Sequence, residues 1–480
     1  MSRDFSKEKP KVIVIGAGSA SFGLSVLGAL MRETSLQGST LGLVDINPEG
    51  LQLIEALANR LNREWNTGMR ILASTDRTEL LPDADFVILS IAIDREKCWQ
   101  SDQEIALRHG IMHYAENGGP AAFIHAARNI AVVMDIFRDI ERLCPNAWLL
   151  NFTNPMARIC SAAVRHTRVK TIGICHQIGF GHMMLGVLLA EELGLQDLVP
   201  EGYRFVWRDR RALELEKIIA DAVMERVAVT AAGTNHFTWM LDIREKHTGR
   251  DLYPVLWERL DAGDPGFEPF TRAVARIFQL FPVPGDCHLV EYLPYTHNVH
   301  RKSWERFDIQ MYPLDGVVTD RDGMWTRIAD MASGRMPVDA LEKIHSERAE
   351  KVIAAMAGGP PVYELALNLP NTGQIPNLPH GAVVETPAWV DAGGPKPVTV
   401  GTLPEPVAEL IRRQITITHI AVDAAVTGDR SLALQALALD PMVDDIDLAR
   451  DLLTEYLEAN RPYVPQFLSS PVNHSPAEKS

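Results

Sequence analysis

Cys175-His176 is followed 61 residues later by His236, inside Gly233-Thr234-Asn235-His236-Phe237-Thr238-Trp239. A thiolate and an imidazole together suit a borderline divalent ion. Their separation matches no zinc-finger spacing, so the pair alone leaves open a metal site or a buried cysteine and a satisfied histidine. Context has to choose. Upstream lies Gly16-Ala17-Gly18-Ser19-Ala20-Ser21, directly after the β-branched run Val12-Ile13-Val14-Ile15. A strand, a glycine turn and a helix in that order let a main chain approach a pyrophosphate closely at a helix N-terminus, and a small third residue still permits packing. Gly16, Gly18 and Ser19 are therefore candidate cofactor contacts. Asp45 closes Leu43-Val44-Asp45, where a carboxylate accepts from the adenosine ribose hydroxyls and favours NAD over NADP. Ser90 falls late in a further apolar run and reaches the same crevice.

These residues need a scaffold of definite kind. Short apolar runs at Val12–Ile15, Leu41–Asp45, Phe86–Ala92, Ala147–Asn151 and Thr171–Cys175 alternate with helical patterns, which implies right-handed crossovers and a parallel, doubly wound sheet. The helix over Ala126–Leu143 stops at Cys144-Pro145. Beyond residue 200 the spacing predicts helices over Ala212–Met224 and Pro269–Leu280, with strands over Val227–Ala232 and Trp239–Arg244 between them. Pro360 to Pro406 reads as a layer of loops and strands, and Pro406 to Thr427 as a long amphipathic helix. The expected fold is α/β: a Rossmann-type NAD-binding domain over 1–200, a C-terminal α+β domain over 201–460, and a flexible tail over 461–480.

Bulk properties narrow the partners. The chain has 480 residues, enough for two or three domains or two interlocked ones. With 47 Lys plus Arg against 62 Asp plus Glu, its net charge of -15 disfavours nucleic acid and anionic membranes and favours a small molecule. Five cysteines without a C-x-x-C pair point to a reducing compartment, so a cytoplasmic location is expected. Val12 to Met31 carries no formal charge, yet Gly16, Gly18 and Gly23 make it a strand, turn and buried helix instead of a membrane span.

Asn151-Phe152-Thr153-Asn154-Pro155-Met156, Cys175-His176 and Gly233-Thr234-Asn235-His236 recur in a known order with Gly285-Asp286-Cys287-His288 leading to Glu291-Tyr292. Asn377-Leu378-Pro379 leading to Val384-Glu385, and Gly428-Asp429-Arg430, complete the set. With these the chain resembles glycoside hydrolase family 4, from residue 11 to about 442. That resemblance implies a fold similar to lactate and malate dehydrogenases and a hydrolase that needs NAD+ and Mn2+ or another divalent metal. It is an exception to two-carboxylate glycoside hydrolysis. NAD+ removes hydride from C3 of the sugar, a base takes the acidified C2 proton, the C1 oxygen is eliminated, water adds, and hydride returns.

The resemblance assigns Cys175 and His236 as metal ligands, His176 as general acid and Asp286 as the C2 base, with His288 and Tyr292 as nearby alternatives. Asn154, Arg128 and Asn377 are the implied substrate contacts. Histidine after the metal cysteine is similar to members acting on unphosphorylated α-glycosides. The substrate order is therefore α-galactoside or α-glucoside, then α-uronide, then 6-phosphosugar. A homodimer or homotetramer is the implied assembly. The loop Asn117-Gly118-Gly119-Pro120 departs from the commoner Gly-Pro-Gly-Gly near the substrate. Two other readings remain at this stage, an NAD-dependent hydroxy-acid dehydrogenase and a non-catalytic NAD-sensing protein.

Overall fold

The computed structural model describes residues 8–309, 311–343 and 346–468. Strands form where β-branched and apolar residues run without interruption. These are β1 (Lys11–Ile15), β2 (Thr40–Val44), β3 (Arg70–Ser74), β4 (Phe86–Leu89), β5 (Trp148–Asn151) and β6 (Lys170–Gly173). They pair in parallel in the order β3-β2-β1-β4-β5-β6. β1 and β4 are buried almost throughout, as strands covered by helices on both faces must be. β3 is the strand that the sequence did not announce. It lies at the edge, is mostly half-exposed, and has only a three-residue apolar run.

The C-terminal half extends the same sheet. β7 (Val227–Thr234), β8 (Phe237–Glu245), β9 (Phe281–Pro282), β10 (Val362–Pro370), β11 (Val383–Asp391) and β12 (Gly394–Pro397) belong to it. The order continues β6-β10-β11-β7-β8-β9, with antiparallel pairing, and β12 lies beside β11. The α/β expectation holds. A boundary at residue 200, however, separates no cores. Ile13, Val87 and Leu149 pack in one cluster with Ala421, Leu452 and Phe467, while Val12, Ile88 and Ile172 share another with Val352, Leu367 and Ala388.

The expected helices appear at Ala121–Leu143, Arg210–Arg226, Pro269–Phe278 and Glu405–Thr427. The first residues of the expected tail are docked. Val464 and Phe467 are buried, and Gln466 Nε2 donates to the Ala127 carbonyl at 3.2 Å, so burial and hydrogen bonding fix residues 461–468. Residues 469–480 lie outside the described ones. No described helix is long and apolar enough to cross a membrane.

Candidate active site

The carboxyl ends of β1, β2, β4, β5 and β6 lie along one edge of the parallel sheet, where open α/β folds bind ligands. Gly16 leaves β1 at φ +94°, and a Cβ there would stand 1.9 Å from the Ser90 carbonyl oxygen just after β4. Only glycine meets both demands. The Gly18 N–H donates to Asp45 Oδ2 at 2.8 Å and the Asn47 N–H to Asp45 Oδ1 at 2.8 Å, which fixes the carboxylate beside the turn. Ser19 is the last residue before the helix Ala20–Arg32, whose first turn has no acidic side chain, so its positive end is open to a pyrophosphate. Gly16→Ala is expected to lower stability by at least about 2 kcal/mol through strain and overpacking, and to abolish NAD+ binding. Urea unfolding and quenching of intrinsic fluorescence by NAD+ check both.

The soft pair is built by pairing across the sheet. Cys175 lies two residues beyond β6, and His236 sits in the turn between β7 and β8 at φ +60°, a left-handed conformation costly for a non-glycine residue. Their strands do not touch; β10 and β11 lie between them. Gly173 pairs with Asn368, and Glu385 with Gly233. Glu385 Oε2 accepts from the amides of Asn235 at 2.9 Å and Asn368 at 2.7 Å, which fastens the His236 turn to the β6 side.

Across that bridge Cys175 Sγ stands 3.2 Å from His236 Nε2. A thiolate sulfur and an imidazole nitrogen this close could share one divalent cation. Burial pushes the Cys175 thiol up to about 12, with Glu385 and Glu347 adding to it, so a cation must displace its proton. Burial also holds the His236 imidazole well below its usual range, neutral and ready to donate a lone pair. His236 Nδ1 lies 3.1 Å from the Asn117 side-chain amide, the supporting contact that a ligand histidine needs.

Beside this pair stands a histidine with a carboxylate behind it. The rings of His288 and His236 have centroids 4.3 Å apart, and His288 Nδ1 hydrogen-bonds the buried Glu291. Glu291 also accepts the N–H groups of Asn117 at 2.6 Å and Gly118 at 3.0 Å, so it clamps the glycine loop and the imidazole together. Donor atoms of His236, His288 and Glu291 all fall within 4.8 Å of one another. Asp286, two residues earlier, is not in this group. Its Oδ2 accepts from the Phe270 N–H at 3.1 Å and its Oδ1 from the Thr271 N–H at 2.6 Å, capping the helix Pro269–Phe278. The expected base is thus occupied in holding a helix N-terminus.

The match to known proteins follows the geometry. The family model "Family 4 glycosyl hydrolase" covers residues 11–190, and "Family 4 glycosyl hydrolase C-terminal domain" covers residues 231–443. This chain belongs to glycosyl hydrolase family 4. It is similar to the alpha-galactosidase of Bacillus subtilis (strain 168), 30% identical over 465 residues, covering 93% of this chain and 98% of the relative. The alpha-glucosidase of Erwinia rhapontici is 28% identical over 485 residues, covering 95% and 98%. Among solved structures, lplD of Bacillus subtilis superposes with a TM-score of 0.79 at 26% identity, covering 94% of this chain and 100% of the other. A 6-phospho-alpha-glucosidase from gut microorganisms, solved with NAD and Mn2+, shares the fold with a TM-score of 0.73 at 21% identity, covering 96% and 100%.

In this family 4 enzyme Asn154 follows β5, and its Nδ2 donates to Glu116 at 3.1 Å. Arg95 grips the same carboxylate through Nε at 3.0 Å and Nη2 at 2.9 Å. Burial opposes ionisation of Glu116, but Arg95 overcomes it and holds the carboxyl down to about 2. His176, half-buried, caps the start of the helix Gln177–Leu188 next to Cys175. Two implied substrate contacts lie elsewhere. Arg128 is 1% exposed and its Nη1 donates both to Asp102 and to Asn460, which holds the end of the helix Ile446–Ala459 onto the core. Asn377 spans to Leu403, donating at 2.9 Å and accepting at 3.0 Å, and ties two loops.

Asp102→Ala is expected to cost about 3–5 kcal/mol because it strands the buried Arg128 charge, with KM for an aryl glycoside little changed. A raised KM at unchanged stability would return Arg128 to the sugar. Sequence reasoning missed Arg95 and Glu116, for which no spacing signal exists. His288-x-x-Glu291 was legible, since residues three apart on a helical turn face the same way.

Proposed function

We propose that this family 4 enzyme hydrolyses unphosphorylated α-glycosides, galactosides or glucosides first and uronides next, using NAD+ and Mn2+ or a similar ion. The observation that carries this reading is the 3.2 Å approach of Cys175 Sγ to His236 Nε2, at the sheet edge that bears the Gly16 turn and Asp45. Relatives named alpha-glucosidase and alpha-galactosidase match nearly the whole chain. The charge beside Asn154 also supports a sugar without phosphate, because Arg95 is matched by Glu116 there. When bound, NAD+ takes up and returns a hydride at C3, while the divalent ion polarises the C2 and C3 oxygens.

The chain's own residues do the rest. Cys175 and His236 hold the ion, and Asn117 keeps the His236 ring in position. Asn154, oriented by Glu116, hydrogen-bonds a sugar hydroxyl. His288 takes the C2 proton: with Nδ1–H donated to Glu291, Nε2 carries the lone pair. His176 donates a proton to the leaving oxygen.

Incubation of the chain with p-nitrophenyl α-galactoside, α-glucoside and α-galacturonide, NAD+, Mn2+ and a thiol reductant tests the reading. Sugar release without accumulation of NADH is expected. NADH formed in step with product would point to dehydrogenase chemistry instead, and NAD+ binding without turnover to a sensor. A cytoplasmic homodimer or homotetramer is the assembly we expect, and light scattering reports the mass.

A further inference from the structure

Beside the metal-ligand pair is a small, partly open pocket with a buried cation on its wall. Its lining includes Pro155, Met156, Ala157 and Arg158, the first turn of the helix Met156–His166, together with Asn117 and Tyr292. Arg158 is 3% exposed, yet Nη1 has no hydrogen-bond partner among the described residues. Asp440, Tyr292 and Glu291 act on it through space, but no ion pair within 4.0 Å is formed, and Glu291 is already held by His288, Asn117 and Gly118. No side chain caps the helix. The Arg158 and Ile159 N–H groups turn back to the Pro155 carbonyl, so the first turn offers this space the N–H groups of Met156 and Ala157 and the positive end of the helix dipole.

Asn117 adds a donor. Its Oδ1 is unpartnered as placed, while its Nδ2 faces His236 Nδ1. If His236 Nε2 takes a metal, Nδ1 carries the proton, and the amide must present its oxygen to the ring and its NH2 to the other side. The space is narrow, which suits a small ion.

We propose that Arg158 and the first turn of the helix Met156–His166 bind a small monovalent anion of halide type, next to the metal-ligand pair. The guanidinium and the helix terminus carry this independently of the glycosidase reading; only the Asn117 donor rests on it. A halide there matches the buried charge, which a water molecule cannot do.

The full-length chain, dialysed into sodium gluconate, tests the proposal when titrated with sodium chloride at constant ionic strength. A saturable rise in Tm of about 3 °C is expected for the wild type. Arg158→Met should lose that response. Should the variant fail to fold, crystals of the wild type soaked in bromide decide: an anomalous peak beside Arg158 supports the site. Equal Tm in chloride and gluconate, or a water only in the pocket of the bromide crystals, overturns it.

Discussion

Serine in place of Cys175 is expected to cut turnover of the best aryl α-glycoside by at least about a thousandfold at saturating Mn2+, with NAD+ affinity changed less than about threefold. An alkoxide is a far poorer match than a thiolate for a borderline cation, and the Lewis acid contributes several kcal/mol to stabilising charge at C2 and C3. Cys175 follows β6, and β4 and β5 lie between that strand and β1, which leads into the Gly16 turn, so cofactor binding is expected to be spared. Because burial pushes the thiol up to about 12, its pairing with a cation is strongly proton-linked. Cysteine-to-serine kinetics, paired with Mn2+ titration followed by electron paramagnetic resonance, distinguishes the outcomes. If Mn2+ affinity and turnover both survive, the pair is structural and the metal lies elsewhere.

His288→Asn is expected to lower kcat by about a hundredfold to ten-thousandfold, the range for loss of a general base, with KM nearly constant. The comparison with Asp286→Asn makes the result decisive. Asp286 Oδ1 and Oδ2 accept the Thr271 and Phe270 N–H groups, so its amide replacement should cost about 1 kcal/mol of stability and less than tenfold in kcat. Exchange of C2 deuterium from labelled substrate into water gives the direct readout. It should vanish in His288→Asn and persist in Asp286→Asn. The reverse pattern would make Asp286 the base and imply that the helix Pro269–Phe278 rearranges when substrate binds.

Much of the cofactor half was legible along the chain because its determinants are local. A β-branched run, a glycine turn and a helix are neighbours in sequence, and Asp45 ends the next strand, so periodicity and spacing sufficed for Gly16, Gly18 and Asp45. The order of the motifs then gave the family, including the Cys175 and His236 pair. Substrate contacts fared less well. Arg128 and Asn377 occupy the expected motifs but are turned to Asp102 and Leu403, because side-chain direction depends on what packs opposite, which no spacing records.

By itself the sequence determined the α/β class and the family, and it singled out Cys175 and His236 as the candidate soft pair. Tertiary structure alone decided how the two meet. Cys175 and His236 follow strands that do not pair with each other, and β10 and β11, from later in the chain, insert between those strands with Glu385 fastening the two sides. The same folding turned Asp286 to a helix end and left His288, braced by Glu291, against His236. The reason is physical: strand pairing at long sequence separation is set by the burial of whole faces and the satisfaction of buried amides, neither of which appears in any short stretch of residues.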